Sequence, residues 1–217
     1  RWFFQGFNPP QAKICAYVNN APAIKASNSP GNNFEGLTIS NIEIDGQNST
    51  GSADGLVLDG SQGGDISIFM TSKIRLNGSS IHDFPRYQVL ALDNVFDVMF
   101  FQTSLSNVRR GAAGDHLFEC QGTYFCGEIK FMDAHVSQYA PGKWVTHYTA
   151  PQGLNLTMTD GTVEMFASGA TGANGVQALG QLSIYGTKFE GFTAHNGADG
   201  SICVQYTGTS GANIFPG

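Results

Sequence analysis

Charge is scarce in this chain. Lys, Arg, Asp and Glu together make up 13% of its 217 residues, and the positive side is the poorer, with 11 Lys+Arg against 17 Asp+Glu and a net charge of −6. Tracking of phosphates requires clustered positive charge, so no nucleic-acid partner is expected. Long apolar runs are missing too. The longest core-like stretch is Val98-Met99-Phe100-Phe101, far short of the roughly 20 residues that cross a bilayer as a helix, and no membrane span is expected. Disorder is excluded from the opposite side, because 41% hydrophobic residues supply a real core for one domain. Cysteines are few: Cys15 and Cys203 lie near opposite ends and match no metal spacing, whereas Cys120 and Cys126 flank the five residues QGTYF and are placed to close a small disulfide. No Ser-His-Asp motif, P-loop or zinc spacing is present. The chain opens on Arg1-Trp2 with neither an initiator Met nor a charged-then-apolar leader, which leads us to expect a fragment of a longer polypeptide.

Turn formers are what the chain has in abundance. With 28 Gly, 15 Asn, 17 Ser and 15 Thr, the composition suits many short strands and argues against an all-α fold. One template recurs, with apolar residues at relative positions 0, 2, 7 and 10. It fits IRLNGSSIHDF from Ile74, VMFFQTSLSNV from Val98, IKFMDAHVSQY from Ile129, LTMTDGTVEMF from Leu156 and LSIYGTKFEGF from Leu182, ending on Phe192. The anchors give a mean period of 27 residues with unequal intervals, the behaviour of a solenoid with a fixed frame and variable loops. A spacing of two is the strand period, and small polar residues separate the two halves, so each unit reads strand, turn, strand. A third strand per coil comes from GLVLDG, QVLALDN, HLFEC, KWVTHY, GVQALG and SICVQY. The expected fold is therefore all-β, a right-handed single-stranded parallel β-helix. At about 27 residues per coil, one domain of roughly eight coils is expected over residues 1–217, irregular over 1–33 and regular over 34–206.

The stretch FEGLTISNIEIDGQNSTGSADGLVLDG, with its I-x-N-I-x-I-D-G pulse and D-G-L-x-L step, resembles the single-stranded right-handed β-helix proteins of the pectin-lyase-like type. That group includes pectate lyases, polygalacturonases and bacteriophage tailspikes. The resemblance covers about residues 34–206 and implies the fold more than the chemistry, because lyases, hydrolases, epimerases and purely adhesive spikes share the architecture. The short polygalacturonase motifs N-T-D, D-D, G-H-G and R-I-K are absent, so that activity is disfavoured and no catalytic residue is carried over.

Stacking makes neighbours of residues one coil apart. At position 4, Asp133 and Asp160 would stand on adjacent coils about 4.8 Å apart. Two like charges that close share a proton, hold a cation or splay into water. The pair is thus read either as a glycosidase acid/base pair or a Ca²⁺ site, Ca²⁺ being the one cofactor envisaged and none being required, or as a ladder of turn residues. Position 8 stacks Glu164 on Glu190, with Lys188 beside them. The longest interval holds Arg109, Arg110 and His116, a cation and a base of the kind that β-elimination of a uronic acid needs, or else an ordinary solvated loop. Met99 and Phe101 alternate with core residues, so their strand is apolar on both faces. That pattern points to a subunit contact, a homotrimer with rods side by side. Trp144, His147 and Tyr148 on KWVTHY are expected to be covered by a loop or a neighbouring subunit, or else to bind a ligand as rings against sugar faces. Three readings follow: a module of a viral tailspike or fibre that binds, and in one version cleaves, a cell-surface polysaccharide; a secreted monomeric polysaccharide lyase or glycoside hydrolase; and a non-catalytic adhesive β-helix. All three place the protein outside the cell, on a virion surface or secreted.

Overall fold

A computed structural model describes residues 12–63, 69–110, 113–124, 126–166, 172–191 and 202–207, together with the backbone of Ala212–Phe215. The protein is a parallel β-solenoid of about 6 turns at about 29 residues per turn, 61% strand and almost without helix. Among the described residues the ladders between strands all run parallel, apart from isolated antiparallel bridges such as Leu154 with Leu179, and the strands form one twelve-stranded and one seven-stranded sheet.

The predicted columns stack as expected. Ile74, Val98, Ile129, Leu156 and Leu182 are successive register partners, as are Ile81, Leu105, Val136, Val163 and Phe189. Side chains at alternate positions of these strands enter one continuous core. At its centre Phe100 and Phe131 stack at 4.6 Å between centroids, and Phe118 meets both edge-on. All six predicted third-strand segments lie on the seven-stranded sheet, as Asp54–Asp59, Val89–Leu92, Phe118–Gln121, Trp144–Tyr148, Asn174–Ala178 and Val204–Tyr206. Pro22–Ser27 begins that sheet as a strand the repeat template does not reveal.

Two sequence expectations are corrected. Eight coils become about six over the described residues, at about 29 residues per turn in place of 27, and the first regular coil is longer than the expected period. Thr38 pairs with Arg75, which puts Leu37 beside Ile74 and makes that coil 37 residues long. Position 10 is not an inward position. Strand alternation carries position 7 inward and then position 9, where Asp83, Asn107, Gln138 and Met165 are buried, leaving Val108 at position 10 half exposed at 50%. Tyr139 and Phe166 are only partly buried and stack on each other at 4.5 Å. Phe84 does point inward, because Asp83 has a positive φ that reverses the alternation in its coil. Phe192 lies outside the described residues.

The bend between the two arms of each coil falls at position 4, where Asn41, Gly78, Gln102, Asp133, Asp160 and Gly186 all have φ between +48° and +61°. Only glycine and short polar residues such as Asn and Asp enter this left-handed region readily. A side chain added at Gly186 would run into Asp160 Oδ1, so the corner also selects for small residues where neighbouring coils press together. Asn107 and Gln138 close the far end of their coils from inside. Their amides bond each other and satisfy the Asp115 and Trp144 carbonyls and the Tyr139 and Ala140 amides. Cys120 and Cys126 are joined in a disulfide that ties the seven-stranded sheet to the start of the next twelve-stranded arm.

Candidate functional site

Because side chains of a strand alternate, the seven-stranded sheet presents every second residue outward, and coil stacking aligns these residues in one row. The row runs Lys25, Val57, Leu90, Glu119 and His147 by register. Gln177 and its partner Gln205 continue it on the next two coils. It changes character along its length. Val57 and Leu90 form an outer apolar patch with Tyr87 and Leu92, and from Glu119 onward the row is polar.

Titratable groups and rings converge at that change. Glu119 is buried, its side chain 1% exposed, and its Oε2 lies 2.7 Å from His147 Nδ1. The second oxygen of Glu119 accepts from Thr149 Oγ1 at 3.4 Å. An ionised carboxylate only accepts, so His147 Nδ1 carries the proton and Nε2 is the basic nitrogen. His116 stacks face to face on His147, with centroids 4.1 Å apart and planes within 8°. Its Nδ1 accepts the Trp144 backbone N–H at 2.8 Å, which leaves the proton of the neutral ring on Nε2. Burial, reinforced by the facing His147, pushes the His116 pKa down to about 3, so this ring stays neutral in ordinary buffers. Tyr87 lies beyond His116 at 6.4 Å, extending the series to three rings, whereas Tyr148, next after His147 in the strand, packs against the core and Trp144 is buried. Burial and the nearby Glu119 and Asp115 raise the Tyr87 phenol to about 12. Cations rim the cluster but are already paired, Arg86 with the buried Asp54 and Lys143 with Asp115.

His116, Glu119 and His147 each bring one candidate ligand atom within 4.8 Å of the others, and so do Glu43, Asp45 and His82. Neither group suits a metal ion as it stands. An imidazole binds a metal in its ring plane through an unprotonated nitrogen; the stacked planes of His116 and His147 do not converge, and His116 Nδ1 already holds a backbone proton. In the second group the Lys13 ammonium sits between the acids, 2.7 Å from Glu43 and 2.8 Å from Asp45, where a cation would go.

The residues singled out from the sequence are dispersed. Asp133 and Asp160 stand exposed at the left-handed corner on adjacent coils, and Asp133 accepts from Gln102 Nε2 at 3.0 Å. Neither belongs to the two groups of potential ligands found among the described residues. Glu164 and Glu190 are register partners on the second arm; Glu164 accepts from Ser137 Oγ at 2.7 Å and lies 3.0 Å from His135 Nε2, and Glu190 pairs with Lys188. Arg109 and His116, read together as a cation and a base, have no contact residue in common. Arg109 reaches Asp45 and Gln47, whereas His116 contacts Trp144, His147 and Tyr87. Arg110 is spent on backbone, donating to the carbonyls of Asp83, Gly46, Gln47 and Ser49. Glu119 was not foreseen. Its pairing with His147 becomes visible only when HLFEC is laid over KWVTHY in register, which puts Glu119 on His147.

No protein-family model matches the chain, and no curated protein or solved structure is significantly similar to it.

Proposed function

We propose that this chain recognises an extended polysaccharide along the outer face of its seven-stranded sheet, as the β-solenoid module of a viral tailspike or fibre. The observation that carries the reading is the continuous strip of rings and polar groups from Tyr87 through His116, Glu119 and His147 to Gln177 and Gln205, which runs along the coil axis. A linear polymer has the same symmetry, offering each coil a similar group at a regular spacing. Imidazole, phenol and amide edges are donors and acceptors suited to sugar hydroxyls. Gln177 Oε1 is the one buried side-chain oxygen or nitrogen among the described residues without a hydrogen-bond partner, a cost of about 1–3 kcal/mol that a hydroxyl donor would relieve. The disulfide fits an oxidising exterior, whether virion surface or secretion.

Affinity electrophoresis through gels containing neutral or acidic polysaccharides tests the proposal. At least one polymer is expected to retard the protein, and Gln177→Ala combined with Gln205→Ala is expected to weaken that retardation about tenfold while circular dichroism stays unchanged. Retardation by none of a broad panel, or retention unaltered in the double variant, would remove this face from the account. The same panel, assayed for new reducing ends and for the ultraviolet absorbance of unsaturated products, separates a cleaving module, or a secreted monomeric lyase or hydrolase, from an adhesive one.

The trimeric assembly belongs to the same reading and rests on a different face. Phe101 is 39% and Tyr185 40% exposed on the outward side of the twelve-stranded sheet, and Met99 and Met132 are partly exposed near them. Second and third copies of the chain are the proposed occupants of this face, rods parallel. Met99→Lys with Phe101→Glu is expected to shift the mass seen by light scattering from trimer towards monomer, since each apolar side chain left in water forfeits on the order of 2 kcal/mol. A monomeric mass for the unaltered protein, extended at both ends, would overturn it.

A further inference from the structure

The stacked pair His116 and His147 has a division of labour that recognition alone does not need. His147 is a base whose second nitrogen is held by a buried carboxylate: Glu119 fixes the tautomer through Nδ1, keeps the ring in place and stabilises the imidazolium that forms when Nε2 takes a proton. His116 is the opposite, a donor that does not become a cation. Its Nδ1 is capped by the Trp144 amide, and the Nε2–H has Asp115 Oδ1 at 3.7 Å, outside hydrogen-bond reach. A neutral imidazole donor beside a carboxylate-oriented imidazole base is a combination suited to carbonyl chemistry, in which one group activates the nucleophile and the other receives the oxyanion. Both rings are largely but not wholly covered, His116 13% and His147 23% exposed, so a small group on a larger substrate can reach them.

We propose that this pair hydrolyses acyl esters carried on the hydroxyls of the bound polysaccharide, with His147 as general base, Glu119 as its positioning residue and His116 as the oxyanion donor. The inference rests on the recognition reading for its polymer and goes beyond it in naming a reaction. Water attacks the ester carbonyl carbon as His147 Nε2 takes one of its protons. The carbonyl oxygen becomes an oxyanion held by His116 Nε2–H. Collapse re-forms the carbonyl and breaks the bond to the sugar oxygen, which leaves with the proton from His147. The products are a free sugar hydroxyl and a carboxylic acid, and water is the only co-reactant.

Two other reactions fit the cluster less well. Glycoside hydrolysis uses two carboxyl groups with separate roles, and here Glu119 is held by His147 and Asp115 by Lys143. Elimination from a uronate needs a cation to offset the substrate carboxylate, and Arg86 and Lys143 are both paired with acids.

Release of acetate from acetylated xylan is the assay. The unaltered protein is expected to release acetate above a buffer blank, and His147→Asn to do so at least about 100-fold more slowly. His116→Ala is expected to lower kcat by about 100-fold or more with little change in KM, as loss of an oxyanion donor does. Glu119→Gln tests positioning through the pH profile: the acid limb of kcat/KM should move to lower pH, because the imidazolium loses its carboxylate. No acetate from the unaltered protein, or an undiminished rate in His147→Asn, would overturn the inference. Failure of the recognition reading is seen separately, by affinity electrophoresis on de-esterified xylan and the other polymers. Should no polymer bind, comparing the unaltered protein with His147→Asn on 4-nitrophenyl acetate still decides whether the dyad is an esterase: equal rates reject it.

Discussion

Phe100→Asp is expected to unfold the middle coils together. Phe100 is fully buried, stacks on Phe131 one coil further on and touches Phe118 across the core edge-on, so it joins both sheets at the centre of the column. Removing a buried Phe side chain typically costs about 3–5 kcal/mol in cavity and transfer terms. The aspartate adds the burden of a carboxylate with no partner in an apolar interior. A total at that level matches or exceeds much of a typical domain's net stability of about 5–15 kcal/mol. Each coil buries its inner edge only against its neighbours, so damage at one coil exposes two more. Phe100→Leu keeps the column filled and should cost far less. Guanidinium denaturation followed by circular dichroism measures both; a transition midpoint for Phe100→Asp close to that of the unaltered protein would mean that the aromatic core does not hold the coils together.

The solenoid was legible because its rule is local and repeated. A spacing of two marks an extended strand wherever it occurs, and five copies of the pattern placed ten core residues in the two columns that the register reproduces. The same pattern misled where it crossed the end of the strand. Phe84, Val108, Tyr139 and Phe166 share a template position, yet only Phe84 is fully buried, because the left-handed turn at Asp83 changes which face follows. The chemistry was harder to see for a different reason. Asp133 and Asp160 stand on adjacent coils as their spacing predicts, and the left-handed corner there, which Asp enters readily, is the structural side of the pair that the sequence pattern did not reveal. Glu119 and His147 are nearly as close in sequence, 28 residues apart. They sit in the third strand, whose spacing from the template varies with loop length, so no fixed offset brings them together until the sheet register is known.

Two histidines are expected to give stability a maximum near neutral pH, with opposite limbs. His116 is held neutral in the folded protein, its pKa pushed down to about 3 by burial first and by His147 second, with Lys143 adding to that effect and Asp115 opposing it. In the unfolded chain the same ring titrates near 6.5. Below about pH 6.5 the unfolded state therefore takes up a proton that the folded state refuses, and this contribution, complete above that pH, is lost as the pH falls towards 3. The slope is up to about 1.4 kcal/mol per pH unit. His82 behaves in the reverse sense. Burial lowers its pKa, but the hydrogen bonds to Asp83 and Glu43 and the charges of Asp83 and Asp45 outweigh burial and raise it overall. Its contribution is complete below about pH 6.5 and fades as the pH rises through the higher folded value. Asp45, held at about 2, and Glu43, lowered by the Lys13 ammonium beside it, steepen only the far acid end, because their contributions persist until the pH drops below the usual carboxylate range. Urea denaturation from pH 4 to pH 9 resolves the two limbs. His116→Asn should flatten the stretch between pH 6 and pH 4 whatever it does to stability at pH 7, and His82→Gln should flatten the alkaline side alone. An acid limb as steep in His116→Asn as in the unaltered protein would show that His116 takes up its proton in the folded state, and with it would go the neutral donor on which the ester chemistry depends.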